Sequence, residues 1–313
     1  MSGSVYTMMA RQITVAEICT PIYTIESSNS IWDGVAEWEA WGRQNDFLVL
    51  WNQVALIRNK GKIIGYTNET DLSLFEEDHP NISLNDKISR INIPVSVNQF
   101  LSADTPLLEI VKLFKGEGDK PFFVLKGNEI IGWLSFSDLF KLPFQLCIFA
   151  LLTGIEGHML EICARNSTHI IKKIKPEIVD SWRKKFNKEE KQRAQQGNWE
   201  FKELKKEDGL SYSGNLIRNY ISFSQKVEVL KKVEGLEKYI PLLAQKDRNG
   251  KEFIETAISL RNKIAHGRNS GAELLNPEEL SIFLDWLSQL EEQMANFLKP
   301  FGFFKHYKGI GEA

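Results

Sequence analysis

Cysteine is scarce in the 313-residue chain: Cys19, Cys147 and Cys163 are odd in number, far apart, and none stands beside a second Cys or His at metal-ligand spacing. That excludes a disulfide framework and a sequence-recognisable zinc site, and it points to a reducing, cytoplasmic setting. No apolar h-region follows a basic start between Met1 and Arg11, so no secretory signal is expected. Long apolar runs are missing as well. The longest uncharged stretch, residues 142–155, is interrupted by Pro143, Gln145 and Gly154. It falls short of the roughly 18 apolar residues of a membrane span and is expected to be a buried helix, with no membrane partner. Net charge is only −2, yet residues 1–140 carry 11 Lys+Arg against 18 Asp+Glu, and residues 141–313 carry 28 against 23. A polyanion should therefore meet the second half.

The length exceeds one usual domain, and 42% hydrophobic with 26% charged residues fits a globular chain of two compact units. The first half repeats itself. Lys60-Gly61-Lys62-Ile63-Ile64-Gly65-Tyr66 and Lys126-Gly127-Asn128-Glu129-Ile130-Ile131-Gly132-Trp133 each follow an apolar strand with a tight turn and a second strand. Asn68-Glu69-Thr70-Asp71 and Ser135-Phe136-Ser137-Asp138 then open a helix. Upstream of each copy lies an apolar-periodic helix, at about 31–41 and 106–114, and Thr20-Pro21-Ile22 corresponds to Ile93-Pro94-Val95. The pattern predicts two β-α-β-β-α units, the first lengthened by an extra segment around Phe47 to Asn52.

This repeat resembles a tandem pair of CBS domains over about residues 10–140, with copies at about 10–75 and 85–140. The resemblance rests on Gly132-Trp133-Leu134-Ser135-Phe136-Ser137-Asp138, which follows the family's glycine, two hydrophobics, Ser/Thr, two variable positions and Asp. It implies an adenine nucleotide (AMP, ADP, ATP or a relative) as regulatory ligand. Asp138 would take the ribose hydroxyls and Ser135 a phosphate, at a helix N-terminus where orphan amides favour anions. Asp71 matches in the first copy, but Asn68 stands where Ser/Thr is usual. The alternative is that Ser135 and Asp138 only cap the helix that follows.

From residue 141 to about 300 the pattern is helical throughout, with a tail at 301–313. Helices are expected at about 144–165, 176–195, 215–233, 251–265 and 277–298. The first of these is expected to run straight on from the Ser135–Asp138 turn. The sharpest chemical signal is Leu260-Arg261-Asn262-Lys263-Ile264-Ala265-His266-Gly267, closing an amphipathic helix with Phe253, Ala257, Leu260 and Ile264 on its core face. Asn262 and His266, four apart, share a face, and Arg261 projects from its edge. Cleavage of RNA through the 2′-hydroxyl needs a group that titrates near neutrality, a fixed cation on the phosphate and a polar positioning group, and His, Arg and Asn are those types. No carboxylate cluster adjoins them, so no catalytic metal is expected. Glu156, inside the uncharged helix, must be paired or face a polar site; it either orients Arg261 or His266 or lies at the surface.

Arg, Asn, three further residues, His and Gly in this context resemble the signature of the HEPN superfamily. The resemblance implies a metal-independent endoribonuclease whose motifs meet across a homodimer, leaving 2′,3′-cyclic phosphate and 5′-hydroxyl ends, in stress response or antiviral, toxin-type defence. Two alternatives stand beside it. Arg261 and His266 can simply favour a helix C-terminus, and the chain can be a non-catalytic nucleotide sensor whose helical domain binds RNA or a protein. His158 and His169 are expected to be packing residues. Between 171 and 208, Lys172-Lys173, Arg183-Lys184-Lys185 and Lys205-Lys206 interleave with Trp182, Phe186, Trp199 and Phe201. That stretch is either a single-strand RNA surface or a solvated, Glu-laced helix face.

Overall fold

The structure, a computed structural model, describes residues 5–44, 54–68, 75, 79–115, 120–197, 199–205, 213–232, 240–266 and 276–298. The extra segment around Phe47 to Asn52 and the tail 301–313 lie outside them. Contacts divide the chain into two units: residues 13–144, and residues 145–313 together with 1–12.

The first of these units contains two three-stranded sheets of identical plan. In one, β1 (Tyr23–Glu26) runs parallel to β2 (Ala55–Asn59), which pairs antiparallel with β3 (Lys62–Thr67). In the other, β4 (Phe100–Ser102), β5 (Phe122–Lys126) and β6 (Glu129–Leu134) repeat the order. Parallel neighbours need a crossover. It is α2 (Ile31–Gln44) in the first copy and, in the second, α3 (Leu107–Ile110) continued as a 3-10 turn over Val111–Phe114. Register slips at the same place in both copies, between Ile57 and Arg58 and between Val124 and Leu125. Both hairpins have two-residue loops, but the left-handed backbone falls on Lys60 and Gly61 (φ 49° and 79°) in one and on Gly127 (φ 61°) in the other.

The copies interlock. Thr20, ahead of β1, exchanges both backbone hydrogen bonds with Trp133 of β6 (2.8 and 2.8 Å), and Ile93, ahead of β4, does the same with Tyr66 of β3 (2.8 and 2.9 Å). Each copy thus lends its entry segment to the other's last strand. Alternation along β2 then divides two cores. Ala55 and Ile57 join Ile25, Ile31, Val35, Trp38 and Ile88, whereas Val54 and Leu56 join Tyr66, Phe123 and Trp133 between the two sheets.

In the helical unit, α1 (Val5–Gln12) packs with the other helices, and the carbonyl of its Ala10 accepts from Cys147 Sγ (3.4 Å). Next comes α4 (Leu142–Arg165), with α5 (Ser167–Ile171), α6 (Pro176–Gly197), α7 (Ser213–Tyr220), α8 (Phe223–Lys232), α9 (Phe253–Ala265) and α10 (Pro277–Leu298) after it. Phe144, Ile148, Leu151, Ile155, Met159 and Ile162 repeat at three and four residues and bury one stripe of α4. Phe253 of α9 and Phe283 of α10 both stack on Trp286 (centroids 5.5 and 5.7 Å), whose indole donates to Leu242 O (3.0 Å).

Three expectations change. The helix drawn at 215–233 is two helices, broken where Ser222 and Gln225 form a reciprocal cap: Gln225 N donates to Ser222 Oγ (3.2 Å) and Ser222 N to Gln225 Oε1 (2.9 Å). The turn after β6 does not run straight into α4. It is a 3-10 turn, Phe136–Phe140, closed by an extended Lys141 (ψ 156°), and Pro143 then sits in the first turn of α4, where a missing N–H costs nothing. By length and composition α4 is also apolar enough to cross a membrane, its best 18-residue window averaging hydropathy 1.6, with half of that window buried in the fold.

Candidate functional site

Helix α9 is anchored by buried Phe253, Ile254, Ala257 and Leu260, and this fixes the direction of the residues beyond them. Ile264, expected in the core, is half-buried. His266 is the residue that ends the helix (φ −97°, ψ 11°); its N–H donates to Asn262 O at 3.1 Å, and both His266 and Asn262 are exposed. Gly267 lies outside the described residues.

Arg261 turns back toward α4. Its Nε and Nη2 both reach Glu156 Oε2 at 3.2 Å, and its Nη1 donates to Asn262 Oδ1 at 3.3 Å. The other oxygen of Glu156, Oε1, accepts from Lys226 Nζ of α8 at 2.7 Å. The side chains of Glu156 and Lys226 are 14% and 6% exposed, that of Arg261 32%. Of the two sequence alternatives for Glu156, pairing with Arg261 is the one observed. Three helices meet in this carboxylate, and Arg261 is held by it while still reaching solvent.

Lys226 was not legible as a partner of Glu156, but a signal exists. It falls among Phe223, Val227 and Leu230, on the stripe that α8 buries, and a lysine there needs a counter-charge. Nearby Cys163 is buried, which pushes its thiol up to about 12, so it is no nucleophile at neutral pH. His158, two residues after Glu156 on α4, has its pKa lowered by burial, and its Nε2 is buried with no hydrogen-bond partner among the described residues.

In the basic stretch, Trp182 is buried and Arg183 is tied to Asp180 Oδ1 (2.8 Å) and Leu204 O (3.3 Å). Lys184 and Lys185 pair with Asp180 and Glu189 along the helix. Trp199, at 49% exposure, is the aromatic that offers an open face there; Phe186 and Phe201 are half-buried. Lys206 lies outside the described residues.

At the other expected site, Ser135 starts the 3-10 turn and Asp138 is 5% exposed. Asp138 Oδ2 accepts from Ser135 N (2.6 Å) and Ser135 Oγ (3.0 Å), and Oδ1 accepts from Thr20 Oγ1 (3.0 Å) and Lys141 Nζ (2.7 Å). Ser135 and Asp138 do cap the 3-10 turn, and the Asp138 carboxylate is bound at four points. Asn68 is exposed just after β3, and Asp71 lies outside the described residues. Among the described residues, no group of three or more His, Cys, Asp or Glu is placed to hold a metal ion.

Residues 164–299 match the family model described as RiboL-PSP-HEPN. No curated protein matches the chain. Among solved structures, an uncharacterized conserved protein from Pyrococcus horikoshii is 18% identical, with 41% of this chain and 90% of that one covered (TM-score 0.31). The CBS domain of a bacterial CNNM/CorC family Mg2+ transporter in complex with ATP is 13% identical, covering 44% and 92% (TM-score 0.32). A CBS-domain containing protein from Agrobacterium tumefaciens is 16% identical, covering 41% and 91% (TM-score 0.31). The match to the RiboL-PSP-HEPN family thus falls on the all-helical part of the chain, after the two repeated β-α-β-β units.

Proposed function

We propose that the chain is a metal-independent RNA endonuclease whose chemistry is carried by Arg261, Asn262 and His266, with Glu156 orienting the arginine. The observation that carries this reading is the arrangement at the end of α9: a guanidinium held from behind by Glu156 and still open to solvent, beside an exposed Asn262 and an exposed His266. A fixed guanidinium neutralises the scissile phosphate as charge builds on it. An imidazole takes the proton of the 2′-hydroxyl or delivers one to the leaving 5′-oxygen. In-line displacement needs a base and an acid on opposite sides of phosphorus, and a second His266 in a homodimer supplies the other. The products are a 2′,3′-cyclic phosphate and a 5′-hydroxyl, as the family resemblance implies, and the setting is cytoplasmic defence or stress response.

In this reading an adenine nucleotide at the CBS pair, held by Ser135 and Asp138 and by Asn68 and Asp71 in the other copy, adjusts the helical domain. The 3-10 turn Phe136–Phe140 is followed in the chain, after an extended Lys141, by α4, the helix that carries Glu156. The deciding experiment incubates the full chain and His266→Ala with total RNA in excess chelator. The parent is expected to cut and the variant to lose at least a hundredfold in rate. Equal cleavage by both, or none by the parent, removes the enzyme reading.

A further inference from the structure

Glu156 is shared unequally between its two cations. Lys226 Nζ takes Oε1 at 2.7 Å in a nearly closed environment, while Arg261 reaches Oε2 through two longer bonds of 3.2 Å. A carboxylate alone with Arg261 would form a neutral pair, and a neutral pair is a poor anchor for phosphate. The buried ammonium changes that sum: one negative and two positive charges leave the cluster at +1. Because Lys226 is only 6% exposed and Arg261 32%, the excess charge is presented to solvent through the guanidinium. The three charged groups lie well within the roughly 8 Å over which salt screens at physiological strength, so they act on an incoming phosphate as one body.

Building on the ribonuclease reading, we propose that Lys226 is a positioning residue: it neutralises Glu156 and confines it to one oxygen, so that Arg261 is held in place without losing its charge for the RNA phosphate. Glu156 supplies direction and Lys226 preserves potential. Lys226 never touches the substrate.

The test separates charge from packing. Lys226→Gln keeps a hydrogen-bond donor for Glu156 and removes the charge, and Glu156→Gln/Lys226→Gln restores +1 at Arg261 with neutral neighbours. Two quantities are read on full-length protein at a temperature where circular dichroism shows every variant folded. One is cleavage of total RNA. The other is affinity for a mixed-sequence 2′-O-methyl oligonucleotide pool, which has phosphates but no nucleophile, across a salt series. Lys226→Gln is expected to bind the pool about tenfold more weakly, with the slope of log affinity against log salt smaller by about one unit, and to cut correspondingly less. The double variant is expected to regain affinity and slope. Binding by Lys226→Gln equal to the parent's, or no recovery in the double variant, overturns the proposal. Should the single variant not fold, a double variant that folds and binds at the weakened level overturns it equally, and one that binds like the parent supports it. Failure of the ribonuclease reading shows up separately, as a parent that binds the pool but does not cut RNA.

Discussion

A side-chain carbon built on Gly132 would lie 2.6 Å from the carbonyl oxygen of Thr20, closer than packed atoms approach. The same collision exists in the other copy, where a carbon on Gly65 would strike Asn92 and the carbonyl of Ile93. These two glycines are where the two repeated units interlock, and each admits the other copy's backbone. Gly132→Ala is therefore expected to destabilise residues 13–144 by about 1–3 kcal/mol, and Gly65→Ala similarly, because the obstacle is backbone and cannot swing away. Gly157→Ala is the contrast. It sits inside α4, where, beyond the backbone of its own turn, no heavy atom of the described residues lies within 4 Å of the added carbon, and should gain about 0.5–1 kcal/mol. Urea unfolding of the three variants checks this, and an unchanged Gly132→Ala midpoint would contradict the interlock.

The helix termini supply a second expectation. Asn276 Oδ1 accepts from Glu279 N at 2.9 Å and Glu279 Oε2 from Asn276 N at 3.2 Å, closing a reciprocal cap on α10. Ser222 and Gln225 do the same on α8. Asn276→Ala and Ser222→Ala should each cost about 1 kcal/mol in thermal or urea unfolding, whereas an alanine at Gln196, exposed on α6, should be near neutral.

Much of this architecture was legible because local rules and tertiary packing agreed. Pro277 after Asn276 marks the start of α10, and the repeated turn, strand and glycine mark the hairpins. Elsewhere the sequence carried the cue but a stronger pattern covered it. The Ser222-to-Gln225 spacing is a cap signature, yet the apolar period on both sides reads as one helix. Pairing of Thr20 with Trp133 could not be read at all, since nothing local says that an entry segment crosses to the other copy. The site divided in the same way. Arg261, Asn262 and His266 are adjacent enough in sequence for helical geometry to group them, and Glu156 announced itself as a charge in an apolar run. Its link to Lys226 spans three helices and follows only from the fold.

His158 gives a pH dependence. Burial disfavours its charged form, so its folded pKa lies below the unfolded 6.5, with Glu291 opposing the shift only in part. The unfolded chain then binds the proton more readily. Stability is unaffected well above 6.5 and falls as pH drops from 6.5 toward the folded value. His158→Leu should flatten this acid limb, and at neutral pH it should cost little, since Nε2 has no hydrogen-bond partner among the described residues for leucine to lose. Unfolding midpoints between pH 7.5 and 5 report it. A parent limb that persists unchanged in His158→Leu assigns the dependence to another group.

The last prediction concerns Asp138. Its carboxylate already accepts from Ser135 N, Ser135 Oγ, Thr20 Oγ1 and Lys141 Nζ, and it is 5% exposed, so ribose hydroxyls can enter only by taking the place of a present partner. The backbone N–H of Ser135 is fixed by the turn. The Thr20 and Ser135 hydroxyls can rotate away, and Lys141, 42% exposed, can move into solvent. Nucleotide binding by this route must therefore loosen the contact between Thr20 and the turn that precedes α4. Asp138→Ala removes the shared acceptor and should destabilise residues 13–144 by about 1–3 kcal/mol, through donors left unpaired. It should also abolish the nucleotide-dependent rise in melting temperature, which for the parent corresponds to about 2.7 kcal/mol at a hundred times the dissociation constant. In the cleavage assay, nucleotide should change the parent's rate by about 5–150-fold, the range of ordinary coupling, and leave that of Asp138→Ala unaltered. Asp71→Ala should weaken the response less, since Asn68 departs from the motif beside it. An Asp138→Ala protein that answers to AMP, ADP or ATP as the parent does would dismiss this sensing route while leaving the Arg261 and His266 chemistry to be judged on its own.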